Sequence, residues 1–497
     1  MSLETDIAII LQKKHKVSIR LDLYNSLNVK IGELTGHVLS VSGSTTAESD
    51  IRRVLNVNIH ILDSSFVTDG STIWLDKKIK AYVGLTNAAG AVVWYIIGTY
   101  LIGDTSFTYS ATAKDLSIPL VDLMAGTTEK RGSQIGGYGL KILAGENIRS
   151  AIIGVIESFT SFTSYNIPEF SDTIPYDLEF SIGVYPYEVL KTILSLYPTY
   201  EMFSDANGVF TVAEIPTGIG DSVFLDESVI DALIFPDGET DSSDFSSVRN
   251  TTEVIGRSLK ADYTASTCTT SGNTYNLFID DLFEVLEDGA LYGFTPDANS
   301  VSGQKVKIQS TNQYGLYLQG TTQASDIPIA SGAMTAGIPY CIKYTQNRFY
   351  LQGELEIRAI VQEVRTALSL AAKAQYKLDN DCRDVKWVVN PSSPFAADFI
   401  GEKRRVLSDG EYADIYTTAL ALERGAYENW TTTRLPDSIN LNMLYIPWLP
   451  VNVKISRTNP ITHVVETFMV KSISFDLASY KMTVSATTYY PYYPFME

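Results

Sequence analysis

WLDKKIK (74–80) and WLPVNVK (448–454) each open a stretch of chain, and the two stretches run on in the same order. After the first come Thr99-Tyr100-Leu101-Ile102 and Thr108-Tyr109-Ser110-Ala111-Thr112. After the second come Thr467-Phe468-Met469-Val470 and Thr483-Val484-Ser485-Ala486-Thr487. Trp74-Leu75 to Ile79-Lys80 and Trp448-Leu449 to Val453-Lys454 keep identical spacing, while the later loops differ in length, as loops of duplicated units do. Each word is ordinary strand vocabulary; the shared order of four elements argues for duplication. The chain is therefore read as carrying two related β-barrels.

Around the first copy, SIRLDLYN (18–25) and VLNVNIHIL (54–62) alternate apolar and polar residues, as half-buried strands do. WLDKKIKAYVGL (74–85) and VVWYIIGTYLI (92–102) flank an NAAG turn and predict a hairpin, and FTYSATAKDL (107–116) predicts one further strand. An amphipathic helix with Leu3, Ile7, Ile10 and Leu11 on one face precedes them. Residues 1–117 are thus expected to form a first tube-type barrel with an N-terminal helix.

Residues 118–245 are expected to be a mixed helix and hairpin domain. Its predicted helices are 118–126, closed by Gly126, then 144–159 and 186–198, the last with Pro186 near its start. EKRGSQIGGYG (129–139) reads as a mobile loop, EMFSDANGVFTVAEIP (201–216) as a hairpin turning at Asp205 to Gly208, and PDGETDSSDFSS (236–247) as an acidic linker. A Thr-, Ser-, Gly-, Asn- and Tyr-rich region with short strands marks an inserted small β domain, 258–379 with its connecting helix 362–378. A helix over 411–430 and strands from INLNMLYIPWL (439–449) onward complete the chain. The second barrel is expected to combine 246–257 with 380–497, so the fold class is mainly β (α+β) and multi-domain.

At 497 residues the chain is too long for one core and predicts roughly three or four domains. A net charge of −19 argues against a surface that coats nucleic acid, yet suits a channel wall that repels phosphate. Cys268, Cys341 and Cys382 form no CxxC pair and read as buried thiols. The start lacks the layout of a signal peptide, because its basic cluster follows the apolar run. The longest apolar runs fall short of a membrane span. Synthesis in a cytoplasm follows, with any exit by a route other than Sec.

Enzyme chemistry has little support, and no catalytic, cofactor or metal site is assigned. His15, His37, His60 and His463 have no partner at metal-ligand spacing, and nucleophile-elbow, zincin and P-loop patterns are absent. The acidic run FIDDLFEVLEDG (278–289) reads as a solvated face, since a glycosidase needs two carboxylates flanking a cleft. Sugar binding is the stronger rival: Tyr292, Phe294, Tyr314 and Tyr317, with Tyr340, stand among polar residues in the insert and are the candidate glycan contacts. The alternative, that these aromatics form the insert's own core, is favoured.

Several segments together resemble a known family: IRRVLNVNIHI (51–61), VVWYIIGTYLI (92–102), 185–216, VRNTTEVIG (248–256), 393–430 and the closing TTYYPYYP. The chain resembles the baseplate hub proteins of tailed bacteriophages, the family that includes the N-terminal part of siphophage tail-associated (Tal) proteins. The resemblance implies a trimeric torus, with two tube-type barrels per chain matching the last tail-tube ring and two further domains forming a cup or platform. Six similar barrels from a homotrimer would adapt a sixfold tube to threefold symmetry. Implied partners are further copies of the chain, distal tail and tail-tube proteins, receptor-binding or fibre proteins, and DNA only in transit. The implied place is the virion tail tip, assembled in the host cytoplasm. The alternative function is a carbohydrate-binding tail adhesin. Unlike larger Tal proteins, this sequence shows no peptidase, lysozyme-like or fibre extension, so those roles are expected on other chains.

Candidate subunit contacts are Trp74, Tyr100, Trp448 and Phe468 in the duplicated words, and Tyr489, Tyr490, Tyr492 and Tyr493 at the end. Pro491 and Pro494 stop the last strand, and the tyrosines are expected to seal a subunit joint.

Overall fold

A computed structural model describes residues 3–11, 16–34, 38–60, 74–109, 114–137, 139–143, 145–170, 173–174, 178–195, 197, 199–216, 222–256, 261–280, 286–319, 323–355, 358–361, 365–366, 388–389, 395, 400–415, 418–433, 435 and 437–489. The protein is mainly β, and its largest element is a sheet of 13 strands. Its first eight are β1 (Val17–Tyr24), β2 (Lys30–Glu33), β3 (Val38–Thr46), β4 (Arg53–His60), β5 (Lys78–Thr86), β6 (Val92–Ile102), β7 (Ser106–Tyr109) and β8 (Lys114–Asp122). The other five are β9 (Ile234–Ser243), β10 (Asp437–Leu444), β11 (Lys454–Thr458), β12 (Val465–Asp476) and β13 (Lys481–Thr488).

Two five-strand units stand side by side in this sheet. One runs β3-β4-β8-β6-β5; the other runs β9-β10-β13-β12, with β11 on the far edge of β12. Strand order along the chain is the same in both, and so is the register. Leu101 faces Val121 as Met469 faces Thr487, Leu55 faces Leu120 as Ile439 faces Ala486, and Ser42 faces Asn56 as Thr240 faces Asn440. Tyr100 and Phe468, matched by sequence, are therefore matched in space. The other words fit less well. Lys454 takes the place of Lys78, not Lys80, because each faces the residue after that aromatic, Met469 or Leu101. The spatial counterpart of Thr483–Thr487 lies in β8, and Thr108–Tyr109 belong to β7, which carries the line of β6 onward along β8.

Period-two alternation explains the strands. Leu55, Val57 and Ile59 of β4 and Ile439, Leu441 and Met443 of β10 point into one continuous core, which both units share. The same pattern corrects the helix expected at 118–126. Leu116, Ile118 and Leu120 are buried in alternation, so the segment is β8. Only Leu123–Thr127 coils, as a 3-10 turn capped by Asp122, which accepts from Met124 N at 2.9 Å. Likewise 107–116 is two strands, β7 and β8, paired with each other. The acidic "linker" 236–247 is mostly β9, held to β10 by ladder bonds and by Ser242–Ser438 (2.8 Å) and Ser243–Asp437 (2.6 Å) contacts.

The helix α1 (Leu3–Ile10) buries Ile9 and Ile10 and leaves Leu11 exposed, a face rotated from the expected one. The helices α2 (Ile148–Phe159) and α3 (Pro186–Leu194) pack together over the hairpin Tyr200–Ser204/Phe210–Glu214, forming a second core. The helix α4 (Glu227–Leu233) lies against β11. In the insert, the strands between Tyr263 and Glu354 form a nine-stranded sheet around a third core.

VRNTTEVIG does not join the second barrel. Its strand Thr251–Ile255 lies between Arg358–Val361 and Arg404–Leu407 in a separate sheet under α5 (Thr418–Thr432). Buried Asn250 fixes this departure: its carboxamide donates to the carbonyls of Phe395 and Gly401 and accepts from Lys403 N. The helix expected over 411–430 is divided into a 3-10 turn (Gly410–Asp414) and α5. The helix expected over 362–378 lies outside the described residues, except Arg365–Thr366, which pair with Val388–Val389 as strands.

Candidate functional site

The feature that distinguishes this molecule is the seam where its two β units meet. β12 is long enough to have two partners on one edge. Val465 to Met469 pair with β11, and Ser472 to Asp476 pair with β3. The seam is extended by Leu477 N donating to Val41 O and Ala47 N donating to Lys471 O, both at 2.9 Å. Gly43 faces Phe475 in this pairing. A Cβ on Gly43 would stand 2.7 Å from the Val54 carbonyl oxygen and 2.8 Å from the Phe475 ring, so the missing side chain is what lets that ring lie over β3. Phe475 in turn packs on Tyr445, with ring centroids 4.8 Å apart.

In the second unit the position matching Gly43 is Asp241. With Glu239 it turns toward Arg457 of β11, which is fully buried. Arg457 donates from Nη2 to both carboxylate oxygens of Asp241 (2.9 and 2.8 Å), also pairs with Glu239, and has Glu466 at 3.6 Å. Burial pushes the Glu239 carboxyl above its ordinary range, and Arg457 opposes that shift. The first unit has buried Ala81 where Arg457 stands, so this charged strut is particular to the second. Sequence reading passed over it because DGETDSSD carries no sign of a cation that sits more than two hundred residues further on.

A second strut ties both units to the helical domain. Glu201, on the hairpin, pairs with buried Arg52 and accepts from Asn452, and Tyr187 donates to Asp50 at 2.7 Å.

Across the seam, the sheet face opposite the core is a field of neutral hydroxyls and amides. It comprises Ser42 and Ser44, Asn56 and Asn58, Thr240 and Ser242, Ser438, Asn440 and Asn442, Ser472 and Ser474, and Thr483, Ser485 and Thr487. Neighbours on it are bonded to one another, as in Asn58–Ser40 (2.9 Å) and Thr483–Asn442 (2.6 Å). Its charges gather at one rim, at Asp115, Asp476 and Lys481.

The candidate contact residues divide sharply. Tyr100 and Phe468 are core residues at matched positions, so neither offers a ring to another subunit. Trp74 is exposed, and Trp448 is half-buried against Tyr95 at 4.9 Å. Tyr489 is buried: its N–H donates to Thr467 O at 3.0 Å and Lys454 Nζ lies 4.4 Å from its ring centre. Tyr490, Tyr492 and Tyr493 lie outside the described residues. In the insert, Tyr292, Phe294 and Tyr340 are core residues, which removes them as glycan contacts. Tyr314 is half-buried against Tyr344, and Tyr317 is half-buried with Arg348 4.8 Å from its ring centre. Arg348 is itself paired with Asp326.

Among the described residues, no group of three or more His, Cys, Asp and Glu side chains could hold a metal ion. Among them, too, no helix is long and apolar enough to cross a membrane.

Residues 392–493 match a family model described as Domain of unknown function (DUF5048). No curated protein matches the chain. Solved structures to which it is similar include phage tail proteins. The 43 kDa tail protein of prophage MuSo2 from Shewanella oneidensis is similar at 10% identity and a TM-score of 0.49, covering 96% of this chain and 99% of that one. A tail protein from Neisseria meningitidis MC58 is similar at 8% identity and a TM-score of 0.46, covering 95% and 98%. Prophage tail protein gp18 from Listeria monocytogenes EGD-e is similar at 7% identity and a TM-score of 0.41, covering 95% and 94%.

Proposed function

We propose that the chain is a structural hub protein at the distal end of a phage tail, with no catalytic role. Three copies form a ring of six like β units that closes or extends the tail tube and adapts sixfold to threefold symmetry. One observation carries this reading: two units of equal strand order and equal register lie side by side in one sheet. A chain that already repeats its wall element needs fewer copies to complete a ring. The sequence resemblance to baseplate hubs points the same way.

In this reading the hydroxyl and amide face lines the lumen. The net charge of −19 predicts carboxylates on such a wall, whereas this face is largely neutral. Away from its rim, where Lys481 lies beside Asp476, such a face gives a passing polyanion no cation to bind, and so avoids arrest without strong repulsion. The helical domain and insert face outward to distal tail, receptor-binding or fibre proteins, at the virion tail tip after assembly in the host cytoplasm. The adhesin alternative keeps only Tyr314 and Tyr317 of its four candidates.

Mass measurement and electron microscopy of the purified protein test the proposal, alone and with its tail-tube neighbour. A particle of three chains with six similar lobes is expected. A monomer at micromolar concentration under both conditions overturns it.

A further inference from the structure

The seam inside the chain is a template for one between chains. β3 of the first unit has both edges filled, by β4 and by the end of β12. Its counterpart β9 ends the sheet, with only β10 beside it among the described residues. The end of β12 likewise has a counterpart. Ser474 and Phe475 face Thr483 and Met482 of β13 as Ser106 and Phe107 face Ser117 and Leu116 of β8. β7 therefore holds in the first unit the place that pairs with β3 in the second, and β8 is its one strand partner among the described residues. Each unit thus has one half of the joint, and among the described residues one joint is made and one is left open.

We infer that β9 of one copy pairs antiparallel with β7 of the next, in the register that β3 and β12 already show. Ser42–Asp476, Gly43–Phe475 and Ser44–Ser474 become Thr240–Thr108, Asp241–Phe107 and Ser242–Ser106 between copies. The occupant is a second copy of this chain, because the main-chain pairing that fits β9 is one this chain itself carries; Asp241 stands where Gly43 does, so Phe107 lies beside that position and not over it as Phe475 does. The inference rests on the ring reading and adds which edges join and in what register. Main-chain bonds supply such a joint without an apolar patch. A separate observation agrees. Counting on in register, Phe245 matches Ala47; Ala47 is 8% exposed at the inner seam, whereas Phe245 is 78% exposed beside the open edge. A neighbouring copy would cover it.

Paired cysteines test the register. In the full chain carrying Thr240→Cys and Thr108→Cys, oxidation is expected to link separate copies into a covalent series ending at the mass of the ring. Thr240→Cys with Ser106→Cys, two residues out of register, is expected to link at least tenfold less. A ring that forms but does not link at Thr240/Thr108, or links equally in both variants, overturns this pairing and leaves the ring reading standing. Absence of any ring overturns both. As a second measure, Phe245→Asp should leave the melting curve of the dilute protein unchanged and weaken self-association at least tenfold. Unchanged association overturns the burial of Phe245 and the joint with it.

Discussion

Gly43 has an ordinary backbone conformation; what it provides is the absence of a side chain between Val54 O and the Phe475 ring. Gly43→Ala must push β3 away from the seam or displace the ring, and we expect a loss of about 1–3 kcal/mol, read from denaturant unfolding. A neutral effect would mean that the seam yields around Gly43 without cost. Asp122 makes a prediction about pH. Burial raises its carboxyl to about 6, although Arg53 N and Met124 N both donate to it. A folded-state value above the unfolded one means that the folded protein holds the extra proton. The stabilisation is therefore full below the ordinary carboxylate range and is lost as pH rises through about 6. Between pH 4 and 7 the protein should lose up to roughly 3 kcal/mol relative to its Asp122→Asn variant. A stability difference that stays flat over that window would show that Asp122 does not titrate this way.

The strands and helices differ in how much of their context the chain spells out locally. VVWYIIGTYLI is one strand over the expected residues, and Pro186 does start a helix, because alternation and a fixed φ act over a few residues. IPLVDLMAG reads as a helix closed by Gly126 when taken alone; Leu116, Ile118 and Leu120 set the strand phase instead, and only the turn after Asp122 coils. DGETDSSD looked solvated because Arg457, which neutralises it, comes from another strand. The insert, by contrast, was legible as a unit from composition, and its core residues all lie between Tyr275 and Phe349. A fragment of residues 261–355 should therefore unfold in a single cooperative transition by circular dichroism. Non-cooperative melting would mean that it depends on the rest of the chain.

For the whole molecule, the ring reading makes the insert dispensable to assembly. Replacing 261–355 with a short Gly-Ser linker should leave the number of chains per particle unchanged by mass measurement, and any change in that number would place the insert in the joint. The sequence by itself determined that the chain is mainly β, that its wall element is duplicated, and that Tyr100 answers to Phe468. Each of these depends on residue order and short-range alternation. Only the tertiary structure decided that VRNTTEVIG leaves the second unit, that β8 and not the Thr108 word matches β13, and that one seam is closed while, among the described residues, its twin is not. Those outcomes depend on which strands reach one another across long loops. Many polar Ser-, Thr- and Asn-rich strands satisfy the local pattern equally well, and it is the shared core and the fit of Gly43 under Phe475 that select one pairing.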